Sequence, residues 1–161
     1  MGAMQASLPP TPPRLGLIAG EGRLPLHVAR NAPALGYEVV AFPLFPDNRW
    51  TLRPYCQAVR PIVFGMVNRT VAELKDAGVR DLVFAGKVNK WLLLRDPRMD
   101  TRALAWLARL ATRNDDAVML SIIAELEAEG FRVVPQTRFL GDLFVGEGHV
   151  AGPARHVDEA A

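Results

Sequence analysis

The segment RLGLIAGEGRLPLHVAR, residues 14–30, joins an apolar run to a glycine turn and an amphipathic stretch. The run Leu15–Ala19 contains only apolar residues and glycine, which is typical of a strand buried on both faces in a parallel sheet. Two glycines follow at once, and Pro25 suits the first turn of a helix, where a missing N–H costs nothing. The segment therefore predicts a strand, a tight turn and a helix over residues 24–34.

Apolar segments and helical periodicity alternate along the rest of the chain. Further strands are predicted at residues 36–42, 81–86 and 131–135, whereas residues 46–61 are bounded by prolines and show no clear period. Strands that alternate with helices indicate βαβ units. We therefore expect an α/β fold: a Rossmann-like, open, mainly parallel sheet with flanking helices in a single domain.

Helical periodicity is also clear in the second half of the chain. A helix that begins at Asp100 or Thr101 is expected to turn one apolar face to the core, made of Leu104, Leu107, Ala108 and Ala111. A second helix is predicted to begin near Asp115 and to stop at Gly130.

Composition narrows the possible function classes. Nineteen Lys and Arg against 17 Asp and Glu give a formal net charge of +2, too small for the basic stripe of a nucleic-acid-binding protein. The single cysteine, Cys56, allows no internal disulfide, and no Cys/His cluster indicates a zinc site. No apolar segment approaches the roughly 18 residues of a membrane span. We expect a cytoplasmic protein that binds no nucleic acid.

We expect one folded domain flanked by two irregular segments. Residues 1–13 contain four prolines and predict a disordered, proline-rich lead-in. Residues 14–140 carry the alternating strands and helices and are predicted to form the Rossmann-like domain. Residues 141–161 contain glycines without periodicity, which indicates a glycine-rich hairpin or an interdomain linker.

The glycine turn is the first candidate site. A dinucleotide fingerprint needs a third glycine and an acid at the end of the second strand, but Pro25 takes the glycine position and Pro43 ends that strand. A conventional NAD site is therefore disfavoured. Two interpretations stay open: a turn with only a geometric role, or an anion-binding loop whose N–H groups face a phosphate. The candidate ligand-binding residues are Gly20, Glu21, Gly22, Arg23, Leu24 and Pro25.

The segment FAGKVNK, residues 84–90, is the second candidate site. Open α/β folds bind ligands at the carboxyl edge of the sheet, where this segment is predicted to lie. Lys87 and Asn89 suit an anionic or sugar group, although an ordinary polar loop has the same composition. The candidate ligand-binding residues here are Gly86, Lys87, Val88 and Asn89.

Two adjacent carboxylates, Asp115 and Asp116, form the third candidate site. Such a pair caps a helix and complements its dipole, or it binds Mg²⁺ through hard oxygen ligands together with substrate phosphates. Both interpretations stay open, and no catalytic residue is identified.

Four motifs in this order resemble a known family. They are GLIAGEGRLP at residues 16–25, VFAGKV at 83–88, NDDA at 114–117 and EAEGF at 127–131. Together they resemble the amino-terminal domain of LpxI-type UDP-2,3-diacylglucosamine pyrophosphatases over about residues 15–140. The resemblance implies a magnesium-dependent hydrolase of lipid A biosynthesis in Gram-negative bacteria. Such enzymes release UMP and 2,3-diacylglucosamine 1-phosphate and bind their lipid between two domains.

The resemblance also implies a carboxyl-terminal domain, in cis or in trans, that carries the main catalytic aspartate. This chain ends near the interdomain linker of the family, so we expect it to be inactive alone. The family more often has glycine at the positions of Glu21 and Asn114. The implied ligand is the UDP-linked diacyl sugar or its lipid phosphate product, with peripheral contact at the inner membrane. The alternative is a stand-alone nucleotide- or phosphate-binding regulatory module without catalysis.

Overall fold

The structure, a computed structural model, describes residues 11–88, 98–112 and 115–141. Its centre is a five-stranded sheet in the order β3-β2-β1-β4-β5, and every neighbouring pair is parallel. The strands are β1 (Arg14–Ala19), β2 (Glu38–Pro43), β3 (Ala58–Val59), β4 (Asp81–Ala85) and β5 (Arg132–Val133). The predicted α/β, Rossmann-like fold with an open parallel sheet is confirmed.

Helices connect the strands and cover both faces of the sheet. They are α1 (Leu24–Asn31), α2 (Asp47–Leu52), α3 (Val67–Asp76), α4 (Thr101–Thr112) and α5 (Asp115–Ala128), with short 3-10 turns at Ala32–Leu35, Arg53–Tyr55 and Gln136–Phe139. The aperiodic stretch 46–61 contains α2, a 3-10 turn and β3. Six helical residues and a two-residue strand are too short to produce a detectable period. Among the described residues, no helix is both long and apolar enough to span a membrane.

Strand β1 lies between two hydrophobic cores. On one face Leu15 and Leu17 are fully buried and belong to the same core as Val28 of α1. On the other face Ile18 belongs to a second core with Leu74 of α3. The continuous apolar run of β1 therefore reflects burial on both faces, as predicted.

Helix α4 faces the core through a different stripe from the one predicted. Asp100 caps the helix, and its Oδ1 accepts a hydrogen bond from the N–H of Ala103 at 2.8 Å. Ala103 is fully buried and Trp106, one turn later, packs against the core, whereas Leu104 is 52% exposed. The expectation that Leu104 faces the core was wrong. Trp106 also donates a hydrogen bond from Nε1 to Glu125 of α5 at 2.8 Å, which holds its side of the helix inward.

A buried polar cluster ties together the amino-terminal edge of the sheet. Asp81, only 4% exposed, accepts a hydrogen bond from the hydroxyl of Tyr37 at 2.7 Å and two from the Arg132 guanidinium at 2.8 and 2.6 Å. Burial alone would raise the pKa of Asp81, but the hydrogen bonds from Arg132 and Tyr37 outweigh it and lower the pKa. Burial and the Asp81 contact raise the pKa of Tyr37. This cluster joins β4 to β5 at the end of the sheet away from the glycine turn.

Candidate functional site

The two predicted loops meet at the carboxyl edge of the sheet. Because β1 and β4 are parallel neighbours with Ala19 opposite Ala85, their last residues lie side by side. The N–H of Gly20 donates to the carbonyl of Ala85 at 2.8 Å. Glu21 and Lys87 then form an antiparallel bridge, with their N–H groups donating to each other's carbonyls at 2.8 and 2.9 Å. Residues 20–25 and 86–88 therefore form one continuous structure, whereas Asn89 lies outside the described residues.

Gly20 and Gly86 are glycines because the two loop backbones approach too closely for a side chain. Gly86 has φ +90°, and a Cβ added there would lie 2.5 Å from the carbonyl oxygen of Glu21. A Cβ at Gly20 would overlap the carbonyl oxygen of Lys87. These contacts account for both glycines by the packing of one loop on the other, so the geometric interpretation explains this part of the motif.

Some N–H groups of the glycine turn are already used in hydrogen bonds and cannot bind an anion. Those of Gly20 and Glu21 are used in the bonds between the loops, and Pro25 has none. The N–H groups of Gly22, Arg23 and Leu24 have no acceptor among the described residues. These three precede or begin α1, where the helix dipole favours negative charge. An anion at this turn would therefore bind over residues 22–24.

The side chains at this edge separate into exposed charges and buried supports. Glu21, Arg23 and Lys87 are exposed, so two cations and one anion face the solvent beside the open N–H groups. Pro25 is fully buried and Leu24 packs against the core under β1. Their packing holds the start of α1 on the sheet, and their contact with a ligand stays a prediction.

Asn48, in helix α2 after strand β2, also contacts this site, and the sequence analysis did not predict it. Its Nδ2 donates to the carbonyl of Gly20 at 2.5 Å, and the N–H of Leu44 donates to the carbonyl of Ala19 at 3.0 Å. Both residues follow β2, which is the other neighbour of β1. The available signal was an amide side chain shortly after a buried strand, but it lay in the stretch without a clear period.

An apolar cavity of about 110 Å³ lies beside the loop that carries Lys87. Val88, which is 39% exposed, forms part of its wall together with Ile18 and Phe84 of the sheet. The opposite wall comes from α3, α4 and α5 and includes Trp106 and Met119. The site therefore combines a charged, hydrogen-bonding edge with an adjoining apolar space.

Asp115 and Asp116 are the first two residues of α5, and their side chains lie outside the described residues. Met119, in the following turn, lines the same cavity as Val88, so the start of α5 lies on the side of the Lys87 loop. Among the residues that the structure describes, no group of three or more His, Cys, Asp or Glu side chains could hold a metal. Magnesium binding by Asp115 and Asp116 stays a prediction. Their oxygen donors have the chemistry that Mg²⁺ prefers.

Cys56 precedes β3 and is half-buried. Burial raises the pKa of its thiol to about 12. A thiol with that pKa is almost wholly protonated at neutral pH and is a poor nucleophile.

The part of the chain that carries this site matches a known protein family. The model for the LpxI N-terminal domain matches residues 14–143, which include β1, both loops and the start of α5. The chain belongs to the LpxI N-terminal domain family. Both candidate loops of this LpxI domain therefore lie within the matched region. No curated protein matches the chain.

Among solved structures, N5-carboxyaminoimidazole synthetase from Staphylococcus aureus is similar to this LpxI domain, with 16% identity and a TM-score of 0.38. The similarity covers 60% of this chain and 22% of that protein. The chain thus spans less than a quarter of the length of the structure that it matches.

Proposed function

We propose that this domain holds the phosphate and lipid portions of UDP-2,3-diacylglucosamine within a pyrophosphatase of lipid A biosynthesis. Membership of the LpxI N-terminal domain family supports a role related to lipid A. The observation that carries the finer proposal is the bridge between Glu21 and Lys87, which brings two loops into one polar edge beside an apolar cavity. The reaction would give UMP and 2,3-diacylglucosamine 1-phosphate.

The polar part of the site suits a phosphate for electrostatic reasons. The open N–H groups of residues 22–24 point from the start of α1, and the exposed cations of Arg23 and Lys87 flank them. N–H groups at a helix start and adjacent cations stabilise phosphoryl oxygens together. The carboxylate of Glu21 opposes such binding unless a metal ion lies between it and the phosphate.

The apolar cavity suits one end of an acyl chain. Its volume of about 110 Å³ is close to the scale of a dry protein cavity of roughly 150 Å³ that takes one benzene molecule. Val88, which lines the cavity, directly follows Lys87 of the polar edge in the sequence. A ligand with a phosphate near Lys87 and an acyl group beyond Val88 would use both parts.

Magnesium, when bound, would neutralise charge on the phosphoryl oxygens. Asp115 and Asp116 are the residues that we propose to hold it, together with oxygens of the ligand. We assign catalysis to a carboxyl-terminal domain in cis or in trans, and we propose that this chain alone is inactive. The protein would then act in the cytoplasm, at the inner face of the inner membrane.

A stand-alone nucleotide- or phosphate-binding regulatory module is the second candidate function. It is favoured by one observation, because the bridged loops that would hold a phosphate both lie within this chain. This function needs no catalytic partner.

Thermal unfolding with and without ligand tests the proposal. UMP or 2,3-diacylglucosamine 1-phosphate with Mg²⁺ should raise the midpoint, and at about 100 times Kd the gain is roughly 2.7 kcal/mol. For a domain of this size that corresponds to roughly 5–11 °C. Stabilisation by NAD but by neither of these ligands would contradict the proposal.

A product assay separates the two candidate functions. The chain with UDP-2,3-diacylglucosamine and Mg²⁺ should release almost no UMP, and addition of a separately encoded carboxyl-terminal LpxI domain should restore release. Ligand binding without restored release would favour the regulatory module. Rapid release by the chain alone would show that catalytic residues lie within it.

A further inference from the structure

Helix α2 and the 3-10 turn after it expose charged and aromatic side chains to solvent, although Leu52 of α2 is buried. Leu52 is 1% exposed and packs into the core beneath β2, whereas Trp50 is 74% exposed. Arg49 and Arg53, four residues apart, are also exposed. Burial of a tryptophan at this position would remove a large apolar surface from water.

Arg30 and Tyr55 extend this surface towards α1. The Arg30 guanidinium lies over the Tyr55 ring, 5.6 Å from its centre, and Tyr55 is 43% exposed. We call the five residues of this surface the arginine–aromatic face: Arg30, Arg49, Trp50, Arg53 and Tyr55.

The positive charge of this face is not neutralised by the described residues. Several other arginines pair with carboxylates, as Arg60 does with Asp76 at 2.7 Å and Arg102 with Glu129 at 2.8 Å. Arg49 and Arg53 form no ion pair with any residue that the structure describes. The face therefore keeps a local positive potential although the whole chain has a formal charge of only +2.

An open groove of about 600 Å³ lies between α2 and the edge strand β3. Arg49, Trp50 and Arg53 line one side of it, and Gln57 and Pro61 line the other. Its walls thus offer cations and an amide to an anionic group and an indole to apolar surface.

We propose that the arginine–aromatic face binds the surface of an anionic phospholipid bilayer. Tryptophan and tyrosine favour the interface between headgroups and acyl chains, and arginines are attracted to anionic headgroups. Charge complementarity therefore selects this occupant, and the exposed indole favours a bilayer over a purely polar partner. Three arginines, which form no ion pair with a described residue, and two aromatic side chains provide both parts of that recognition.

The position of α2 connects this contact to the candidate site, and this connection, unlike the bilayer contact itself, rests on the proposed function. Asn48, in the same helix, donates its hydrogen bond to Gly20 of the glycine turn. A bilayer bound at the arginine–aromatic face would lie next to the carboxyl edge of the sheet. A lipid-linked ligand could then reach the site without leaving the membrane surface.

Vesicle cosedimentation of the full chain tests the proposal. The chain should bind vesicles of phosphatidylglycerol and phosphatidylcholine at 1:1 at low salt, and binding should fall at high salt because exposed charges are screened. The double variant R49Q/R53Q should lower the partition coefficient by about 30-fold, since each arginine near an anionic surface contributes about 1 kcal/mol, or roughly five-fold. W50S should also lower it.

The matched control is R69Q/R80Q, which removes the same charge from exposed positions outside this face. It should change binding by less than about three-fold, the part due to net charge alone. Equal losses in the two double variants, or equal binding to pure phosphatidylcholine vesicles, would overturn the proposal. So would concentration-dependent self-association that R49Q/R53Q abolishes, because the face would then contact a second copy. Nucleotide is absent throughout, so the result is independent of the phosphate site.

Discussion

Glu21 and Lys87 exchange two backbone hydrogen bonds, at 2.8 and 2.9 Å, beyond the ends of β1 and β4. This exchange makes the conformation of the glycine turn depend on the loop after β4. Any substitution that separates the two backbones should disturb both halves of the proposed phosphate site together.

Gly86→Ala should test this dependence. The Cβ would lie 2.5 Å from the Glu21 carbonyl oxygen at a φ of +90°, so we expect a cost of about 2–4 kcal/mol in the free energy of unfolding. Gly36→Ala is the matched control, because Gly36 has φ +84° but no atom within 4 Å of an added Cβ. It should cost only about 1 kcal/mol. Urea unfolding measures both, and equal costs would show that the loop contact is unimportant.

Lys87→Met should weaken binding of UMP with little effect on folding, because the side chain is exposed. Loss of one charge-assisted contact at an exposed position corresponds to about 1.4 kcal/mol, or ten-fold in Kd. Arg69→Met removes an exposed cation on α3 and serves as the control. Isothermal titration calorimetry gives both dissociation constants. Unchanged affinity in Lys87→Met would remove this lysine from the proposed site.

Asp81→Asn should destabilise the chain in a pH-dependent way. Since the Arg132 side chain is 69% exposed, only one partner of the ion pair is buried, and we expect about 2 kcal/mol at pH 7 rather than the larger cost for a fully buried pair. The pKa of Asp81 is lower in the folded chain than the ordinary value of 3.8. Its stabilisation is therefore complete above the unfolded pKa and is lost as pH falls through the folded pKa.

Urea unfolding between pH 7 and pH 2 checks this sign. The difference between the original chain and Asp81→Asn should shrink below about pH 4. Asp76→Asn is the control, because Asp76 forms an exposed pair with Arg60 and its side chain is 75% exposed. Such a pair contributes about 0–1 kcal/mol. A difference at Asp81 that grows with acidity would contradict the assigned direction.

The first strand, the turn and the start of α1 could be predicted because their signals are local. An unbroken apolar run, a glycine pair and Pro25 each restrict the backbone at their own positions. The meeting of the turn with Lys87 could be expected only in outline, since carboxyl ends of parallel strands share an edge. The N–H groups of Gly20 and Glu21 donate to the other loop. These hydrogen bonds depend on the register between the strands, which a single sequence does not reveal.

The roles of Asn48 and of the arginine–aromatic face could not be predicted from the sequence for a related reason. Asn48, Arg49 and Trp50 lie in α2, whose six residues span less than two turns and leave no measurable period. Arg53 and Tyr55 lie in the three-residue 3-10 turn that follows it. The tertiary contact that gives Asn48 its importance, the carbonyl of Gly20, comes from another strand.

The rotation of α4 is a third case, and it can be tested directly. The periodicity of leucines favoured Leu104 as a core residue, but packing of the larger Trp106 turns Ala103 inward instead. Ala103→Leu should therefore overpack the core and cost about 1–3 kcal/mol. Leu104→Gln should stay within about 0.5 kcal/mol of the original stability, as an exposed substitution does. Urea unfolding of the two variants decides between the two faces, and the reverse order of costs would restore the leucine face as the buried one.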